Sequence, residues 1–557
     1  MKKHLILLCF FCLTAAMSFA QDEQVSMPYS FSQKNISMNV DQIDLPHVDR
    51  EALLKEDAAN TDKSALFRVG VGHAVSANTR NSGRTDIMPD GGKLWRAQFN
   101  SEGAYMMYLV FENFNIPEEG ELYVYSPDHE QVYGPYTNKD VQSVGRFESD
   151  NIIGEELIVE YYEPANASFN GNFDIAAVMH TYKDFLRTRA DEKGPHGDAD
   201  GTCHLDVVCP EVQPWHYPVN SVVCIAMTAN TDEGWGVYMC TGAMINNVRM
   251  DKTPYVLSAN HCVAADDQTY KFYFQYQTAT CGGTNGMASR MANGGTIIAR
   301  SGTSSNTYSS SDFLLLKITA NLGLAYRDSI FFAGWDRSGA SSIGVAIHHP
   351  GGDWKKASFP QFISAPTNGQ YGNKFYVVSW MTNPNKGVTE QGSSGSPLFN
   401  NKSLIIGTLT GGTSFCYYPS GTDIYGKMSY HWLNNGSPAN DRKLQPWLDP
   451  DNTGVMSLQG MMYNGTIITG VEDYTQDYTF SVAPNPTRDG RITIQGEFMH
   501  ENAVCHIYNM MGQLVKTQNV TTDATFDMNV GELGNGVYLI ELVGADRTYK
   551  FKLVISK

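Results

Sequence analysis

Apolar and polar positions alternate in short runs along most of this chain, and the runs fall into three groups. Between residues 94 and 164 they include Leu94-Trp95-Arg96-Ala97-Gln98-Phe99, Tyr108-Leu109-Val110-Phe111 and Glu121-Leu122-Tyr123-Val124-Tyr125, parted by Gly, Pro and Asp. Period-two alternation between turn residues predicts a small antiparallel β-sandwich. A second group spans 203 to about 460, with strand-like runs at 222–228, 255–258, 313–318, 344–348, 375–380 and 404–409. Many short strands predict a barrel or sandwich. From about 470 a third β pattern carries Phe480-Ser481-Val482-Ala483, Ile492-Thr493-Ile494, His506-Ile507-Tyr508-Asn509, the run 536–542 and the run 550–555, enough for one more sandwich. Residues 21 to about 65 are polar and weakly patterned, and read as a linker or the early part of a pro-segment. Residues 185–203 are charged and contain glycine, as an exposed, cleavable connection would.

Length agrees with several domains, since 557 residues at about 150 per domain leave room for three or four. The chain is 42% apolar and 18% charged, which places it among globular proteins. Its 40 basic against 58 acidic residues give 40 − 58 = −18, which disfavours nucleic acid and polybasic docking on anionic lipid. Met1-Lys2-Lys3-His4, the apolar run 5–20 and the small residues Ser18 and Ala20 read as a secretory signal peptide over 1–20. That run is shorter than the ~20 apolar residues of a membrane span, and no later segment comes close, so no transmembrane segment is expected. Cys9 and Cys12 fall inside the segment to be removed.

Seven of the other eight cysteines lie between 200 and 420, and an exported location favours disulfides over thiols there. Paired metal-ligand spacings do not occur, so no metal or other cofactor is expected. An odd count leaves at least one thiol over, and Cys224, within Val222-Val223-Cys224-Ile225-Ala226, reads as a buried strand residue.

Three motifs of the central group hold the parts of a nucleophilic acyl transfer. Leu257-Ser258-Ala259-Asn260-His261-Cys262 ends a strand on a histidine, and Ser311-Asp312-Phe313-Leu314-Leu315-Leu316 puts an aspartate at the mouth of another. Thr389-Glu390-Gln391-Gly392-Ser393-Ser394-Gly395-Ser396-Pro397 is a serine between glycines. A serine hydroxyl is a weak nucleophile that needs an imidazole to take its proton, and the imidazole needs a carboxylate to fix its tautomer. Gly392 and Gly395 permit a tight loop in which the N–H groups of Gly392 and Ser394 converge on a developing oxyanion. The Gly-x-Ser-x-Gly elbow of α/β-hydrolases is a poor match, because Ser394 is followed at once by glycine and no helix pattern succeeds it.

These motifs, with Cys203-His204-Leu205-Asp206-Val207-Val208-Cys209-Pro210-Glu211, Cys240-Thr241-Gly242-Ala243-Met244-Ile245-Asn246-Asn247, Ala333-Gly334-Trp335-Asp336, Ile347-His348-His349-Pro350 and Asp423-Ile424-Tyr425-Gly426-Lys427, give residues 203 to about 455 a resemblance to the lysyl endopeptidases, bacterial members of the trypsin-like serine proteases. The resemblance implies a mainly-β, chymotrypsin-like double β-barrel, with His261 as general base, Asp312 as its orienter and Ser394 as nucleophile. Ordinary trypsin-like enzymes carry the acid of the primary pocket six residues before the nucleophile, where this chain has Val388. The family's pattern moves that role to Asp423. It also implies that Trp380 lines the primary pocket or adjoins the triad, and it puts Thr410 where a histidine partner would stand. The disulfides it implies are Cys203–Cys416, Cys209–Cys281 and Cys240–Cys262, leaving Cys224 spare. His348 and His349 point to opposite faces of a strand and read as structural. Removal of a pro-region is implied at Lys193-Gly194, or at Arg187 or Arg189.

The last 80 residues resemble the C-terminal sorting domains read by the type IX secretion system, through Val482-Ala483-Pro484-Asn485-Pro486, Ile507-Tyr508-Asn509-Met510-Met511-Gly512, Gly536-Val537-Tyr538 and Lys550-Phe551-Lys552-Leu553. The expected organisation is a signal peptide (1–20), a pro-region with a β-sandwich (21–193), a protease domain (194–460) and a β-sandwich sorting domain (470–557). The expected activity is secreted or cell-surface serine endopeptidase cleavage after lysine. Alternatives are the same triad with a broader Lys/Arg or other preference, or a non-catalytic surface adhesin on a protease fold. Expected partners are polypeptide substrates and the type IX machinery, with the chain itself a monomer.

Overall fold

The computed structural model of the chain describes residues 27–186 and 203–468, apart from 34–35, 37–39, 284–285, 287–289, 303–309, 321, 323–326, 328, 340–343, 365–371 and 383–386. Of 481–557 it describes all but 496–502, 510–512, 521–524 and 544–547. The signal-peptide reading and the cleavage candidates Arg187, Arg189 and Lys193 lie outside the described residues. The fold is mainly β, in two compact units, 1–470 and 471–557.

In the first unit the N-terminal region holds one sheet of Asp41–Asp44, Lys93–Asn100, Glu156–Glu163, Glu121–Tyr125 and Val132–Tyr136, with Arg84–Ile87 beside Lys93–Asn100. A second sheet faces it across Trp95, Phe99, Leu109, Phe111, Leu157 and Phe173. Its strands Arg146–Glu148, Met106–Asn115, Asn172–Thr181 and Phe67–Ala77 continue without a break into Gly234–Met244, Val222–Thr231 and Thr269–Phe274 of the central region. The join is antiparallel, with Phe67 opposite Met239 and Val71 opposite Gly236.

This continuity explains the unbroken apolar run at 222–227. Val223, Ile225 and Met227 face the interior of the first barrel with Tyr270, Phe272, Leu314 and Leu316. Cys224 and Ala226 face the N-terminal region with Phe67, Met106, Tyr108 and Tyr273. A strand buried on both sides has no polar alternation to show.

The second barrel-like sheet runs Lys356–Ser358, Val345–His348, Pro397–Phe399, Ile405–Gly412, Thr422–Lys427, Phe375–Trp380 and Pro360–Ser364. Between the two, Val222, Ala243, Leu257 and Leu315 pack on Val345, Ile347, Phe399 and Ile405. The catalytic candidates sit along this seam.

The described residues of segment 21–65, read as a linker or the early part of a pro-segment, are a structural part of the N-terminal region. It includes strand Asp41–Asp44 and helix Arg50–Ala59, whose Asp49 accepts the Ala52 N–H at the N-terminus. The periodic signal is weak because the helix buries none of its residues fully. The C-terminal unit is a compact β domain of two sheets, one with Ser481–Ala483, Arg491–Gln495 and Thr525–Asn529, the other with Leu514–Val520, Ala503–Asn509, Gly536–Val543 and Thr548–Ile555. Ile492, Ile494, Ile507, Ile540, Leu542 and Leu553 form its core.

Candidate active site

Strand Tyr255–Ser258 pairs with Leu314–Ile318 so that Ser258 stands opposite Leu314, and the chain just beyond each end therefore lies side by side. One chain turns into the short helix Asn260–Cys262 and presents His261; the other ends in Asp312. Asp312 Oδ2 lies 2.8 Å from His261 Nδ1, and its Oδ1 accepts the His261 backbone N–H at 3.0 Å. The carboxylate is fully buried and holds the ring by two contacts at once, fixing a tautomer with the proton on Nδ1. Asp312 has φ +59, a conformation Asp tolerates better than most side chains. Its neighbour Ser311 is tied to His431 Nδ1 at 2.8 Å, and His431 Nε2 to the Thr408 hydroxyl at 3.1 Å. Burial pulls the His431 imidazole down to about 3, so this brace stays neutral.

The loop 387–396 carries Ser394. Thr241 ties it to the first barrel: its N–H donates to the Ser394 carbonyl at 2.8 Å and its hydroxyl to the Gly392 carbonyl at 2.9 Å. Gly392 and Gly395 have φ +82 and +81, and a Cβ at Gly395 would stand 2.5 Å from the Thr241 carbonyl and 2.7 Å from the Ala259 nitrogen. Only glycine lets this loop lie against the segment that delivers His261. The N–H groups of Gly392 and Ser394 donate to no acceptor among the described residues, as donors reserved for an oxyanion would. His348 spans from the Ser393 hydroxyl (2.7 Å) to the Ser358 hydroxyl (2.8 Å), so it braces the residue next to Ser394. His349 is held by the Asp353 carbonyl at 3.0 Å and stacks on Tyr276. The Ser394 hydroxyl and His261 Nε2 are both buried and have no hydrogen-bond partner among the described residues.

The second cluster centres on Asp423, which is fully buried. Its Oδ2 accepts from Trp380 Nε1 at 2.8 Å, Thr389 Oγ1 at 2.6 Å and Ser414 Oγ at 2.5 Å. Its Oδ1 accepts the ammonium of Lys63 at 2.7 Å. That ammonium also donates to Ser414 Oγ at 2.9 Å and Thr389 Oγ1 at 3.2 Å, and lies 4.8 Å above the Phe415 ring. Burial lowers the Lys63 amine from its ordinary value, while the charges of Asp423 and Glu390 act the other way. Glu390 accepts the Cys416 N–H at 2.7 Å, and burial pushes its carboxyl up to about 7.

Trp380 thus braces the Asp423 carboxylate. Thr410 is buried, and its hydroxyl has no hydrogen-bond partner among the described residues. Thr389 and Glu390 lie within the quoted serine motif, so their place beside the pocket could have been argued from it. Ser414 and Lys63 carry no local signal; Lys63 sits in an unpatterned polar stretch more than three hundred residues away.

Disulfides join Cys203 to Cys416, Cys209 to Cys281 and Cys240 to Cys262, and Cys224 and Cys505 are buried thiols. The Cys240–Cys262 bridge fixes the segment that bears His261. Cys203, His204 and Cys416 bring three potential metal ligands within 4.8 Å, but the two sulfurs are bonded to each other and offer no thiolate.

Residues 197–426 match the family of the lysyl endopeptidase C-terminal domain, and residues 481–556 the secretion system C-terminal sorting domain. A lysyl endopeptidase of Pseudomonas aeruginosa is 28% identical over 296 residues, which cover 51% of this chain and 61% of that protein. A biofilm-associated protein domain and a tandem repeat of a large adhesion protein superpose with a TM-score of 0.11 at 10% identity, covering 91% and 87% of this chain and 70% and 99% of their own. At that score neither carries an argument. The sorting domain marks the chain for export, to the medium or the cell surface. Residues 197–426 are thus similar to the lysyl endopeptidase C-terminal domain, and residues 481–556 to a secretion-sorting domain.

Proposed function

We propose that this protein is a serine endopeptidase that hydrolyses peptide bonds on the carboxyl side of lysine. The observation that carries this reading is the pocket at Asp423, where a lysine ammonium is fully enclosed and held by one carboxylate and two hydroxyls.

The residues divide the reaction between them. His261 Nε2 takes the proton of the Ser394 hydroxyl as its oxygen adds to the scissile carbonyl, and Asp312 stabilises the imidazolium that forms. The Gly392 and Ser394 N–H groups receive the oxyanion. The imidazolium then gives its proton to the leaving amine, and the acyl-enzyme is released by water through the same relay. Asp423 selects the residue before the bond, since a buried carboxylate without its cation is costly and neutral side chains leave it unpaired. What favours an enzyme over an adhesin is the buried Asp312 carboxylate held on His261 Nδ1 and its backbone N–H, with the Ser394 loop tied by Thr241 to the same barrel.

In this reading residues 21–193 are a pro-region, 194–460 the protease and 470–557 an address read by the type IX machinery. Digestion of a denatured protein mixture by the processed enzyme, followed by mass spectrometry, tests it. Cuts concentrated after lysine are expected; cuts spread equally over arginine and lysine would replace the lysine reading by the broader one, and cuts without a basic residue would reject the role of Asp423.

A further inference from the structure

The lysine in the pocket belongs to the chain itself. Lys63 is fixed from both sides along the sequence. Upstream, helix Arg50–Ala59 is tied to the N-terminal sandwich by Asp57, which meets Arg68 at 2.9 Å, Lys183 at 2.8 Å and the Tyr182 hydroxyl at 2.6 Å. Downstream, Phe67–Ala77 pairs with Gly234–Met244 of the first barrel. Gln391, three residues before Ser394, donates through Nε2 to the carbonyls of both Asn60 and Asp62 at 3.0 Å.

The side chain is placed as a substrate lysine would be, but the backbone around it is not extended. The Asp62 carbonyl accepts the Ala65 N–H at 3.0 Å, and Asp62 Oδ1 accepts the N–H of Ser64 at 2.9 Å and its hydroxyl at 2.7 Å. Lys63 and Ser64 are therefore the two central residues of a tight turn. A peptide read by a sheet edge lies extended along it, which is the conformation that turns its carbonyl towards fixed donors. The turn withholds that geometry from the Lys63–Ser64 bond.

We propose that residues 27–186 are a built-in inhibitor of the protease region, with Lys63 as the reactive position: a lysine that fills the pocket on a turn that resists cleavage. This rests on the lysine-pocket reading above. It follows that cutting between 186 and 203 does not by itself free the site. Lys63 lies far upstream of the cut, and Phe67, Met106, Tyr108 and Met179 remain packed on Cys224, Trp235, Met239 and Tyr273. Activation requires that the N-terminal region be unfolded, digested or released.

The test uses the intact full-length protein, wild type and Lys63→Ala, with a lysyl phosphonate that labels Ser394 and a fluorophosphonate that carries no lysyl group. With the pocket opened, Lys63→Ala is labelled by the lysyl probe at least about tenfold faster than wild type, because only the open fraction reacts. Equal rates would overturn the inhibitor. Should the variant lack a cooperative melt, the wild-type Lys63 amine decides: acylation as fast as at the exposed Lys139 overturns the proposal, and protection supports it. If the fluorophosphonate labels Ser394 but the lysyl probe labels neither protein, even after the N-terminal region is digested away, the pocket reading itself has failed and the inhibitor falls with it.

Discussion

The indole N–H of Trp380 donates to Asp423 Oδ2 at 2.8 Å, so a fully buried aromatic orients the carboxylate that holds the Lys63 ammonium. Trp380→Phe keeps the packing and removes the donor. A hydrogen bond to a charged group is worth about 1.5–3 kcal/mol, so kcat/KM for lysyl esters should fall about 10- to 100-fold, chiefly through KM. Steady-state kinetics on lysyl and uncharged esters checks this, the uncharged ester being little affected.

Asp423→Asn removes the charge proposed to select the substrate. Preference for lysyl over neutral anilides should drop by about two orders of magnitude or more. In the full-length protein the same change strands the Lys63 ammonium in a buried site, which costs about 3–5 kcal/mol and shows as a lower melting temperature.

Glu390 adds a pH dependence. Its folded-state value of about 7 lies above the ordinary 4.5, so the fold binds its proton more tightly than the unfolded chain does. The stability it contributes is complete below about pH 4.5 and is lost as pH rises through about 7, on the order of 1–3 kcal/mol. Gln mimics the protonated carboxyl and does not titrate, so the melting temperature of wild type should fall relative to that of Glu390→Gln from pH 5 to pH 8; a constant difference would show that the carboxyl does not titrate there.

Asp312→Asn preserves shape but puts an amide where His261 Nδ1 now donates, favouring the wrong tautomer. A fall in kcat of about 10³–10⁴ with little change in KM is expected from progress curves on a lysyl ester.

Legibility in the sequence follows how local each determinant is. Strands such as Tyr255–Ser258 and Phe375–Trp380 announce themselves by composition, and the lysyl endopeptidase resemblance rests on contiguous motifs that a reader meets in one pass. Val222–Thr231 is legible as a buried strand, but not what covers it, because the face carrying Cys224 is completed by residues more than a hundred positions upstream. Helix Arg50–Ala59 hides because it buries no side chain fully, and strands Leu514–Val520 and Thr525–Asn529 because their patterns are polar. Lys63 was unreadable for a different reason. An isolated lysine in a polar stretch gains its meaning only when the fold sets it against Asp423, 360 positions away.

The most direct test of the account replaces Ser394 by alanine in the processed enzyme and follows hydrolysis of a lysyl anilide. Turnover should fall by about three to six orders of magnitude while the melting temperature stays within a few degrees. Hydrolysis within about tenfold of wild type would contradict the assignment of Ser394 as nucleophile and the mechanism built on it.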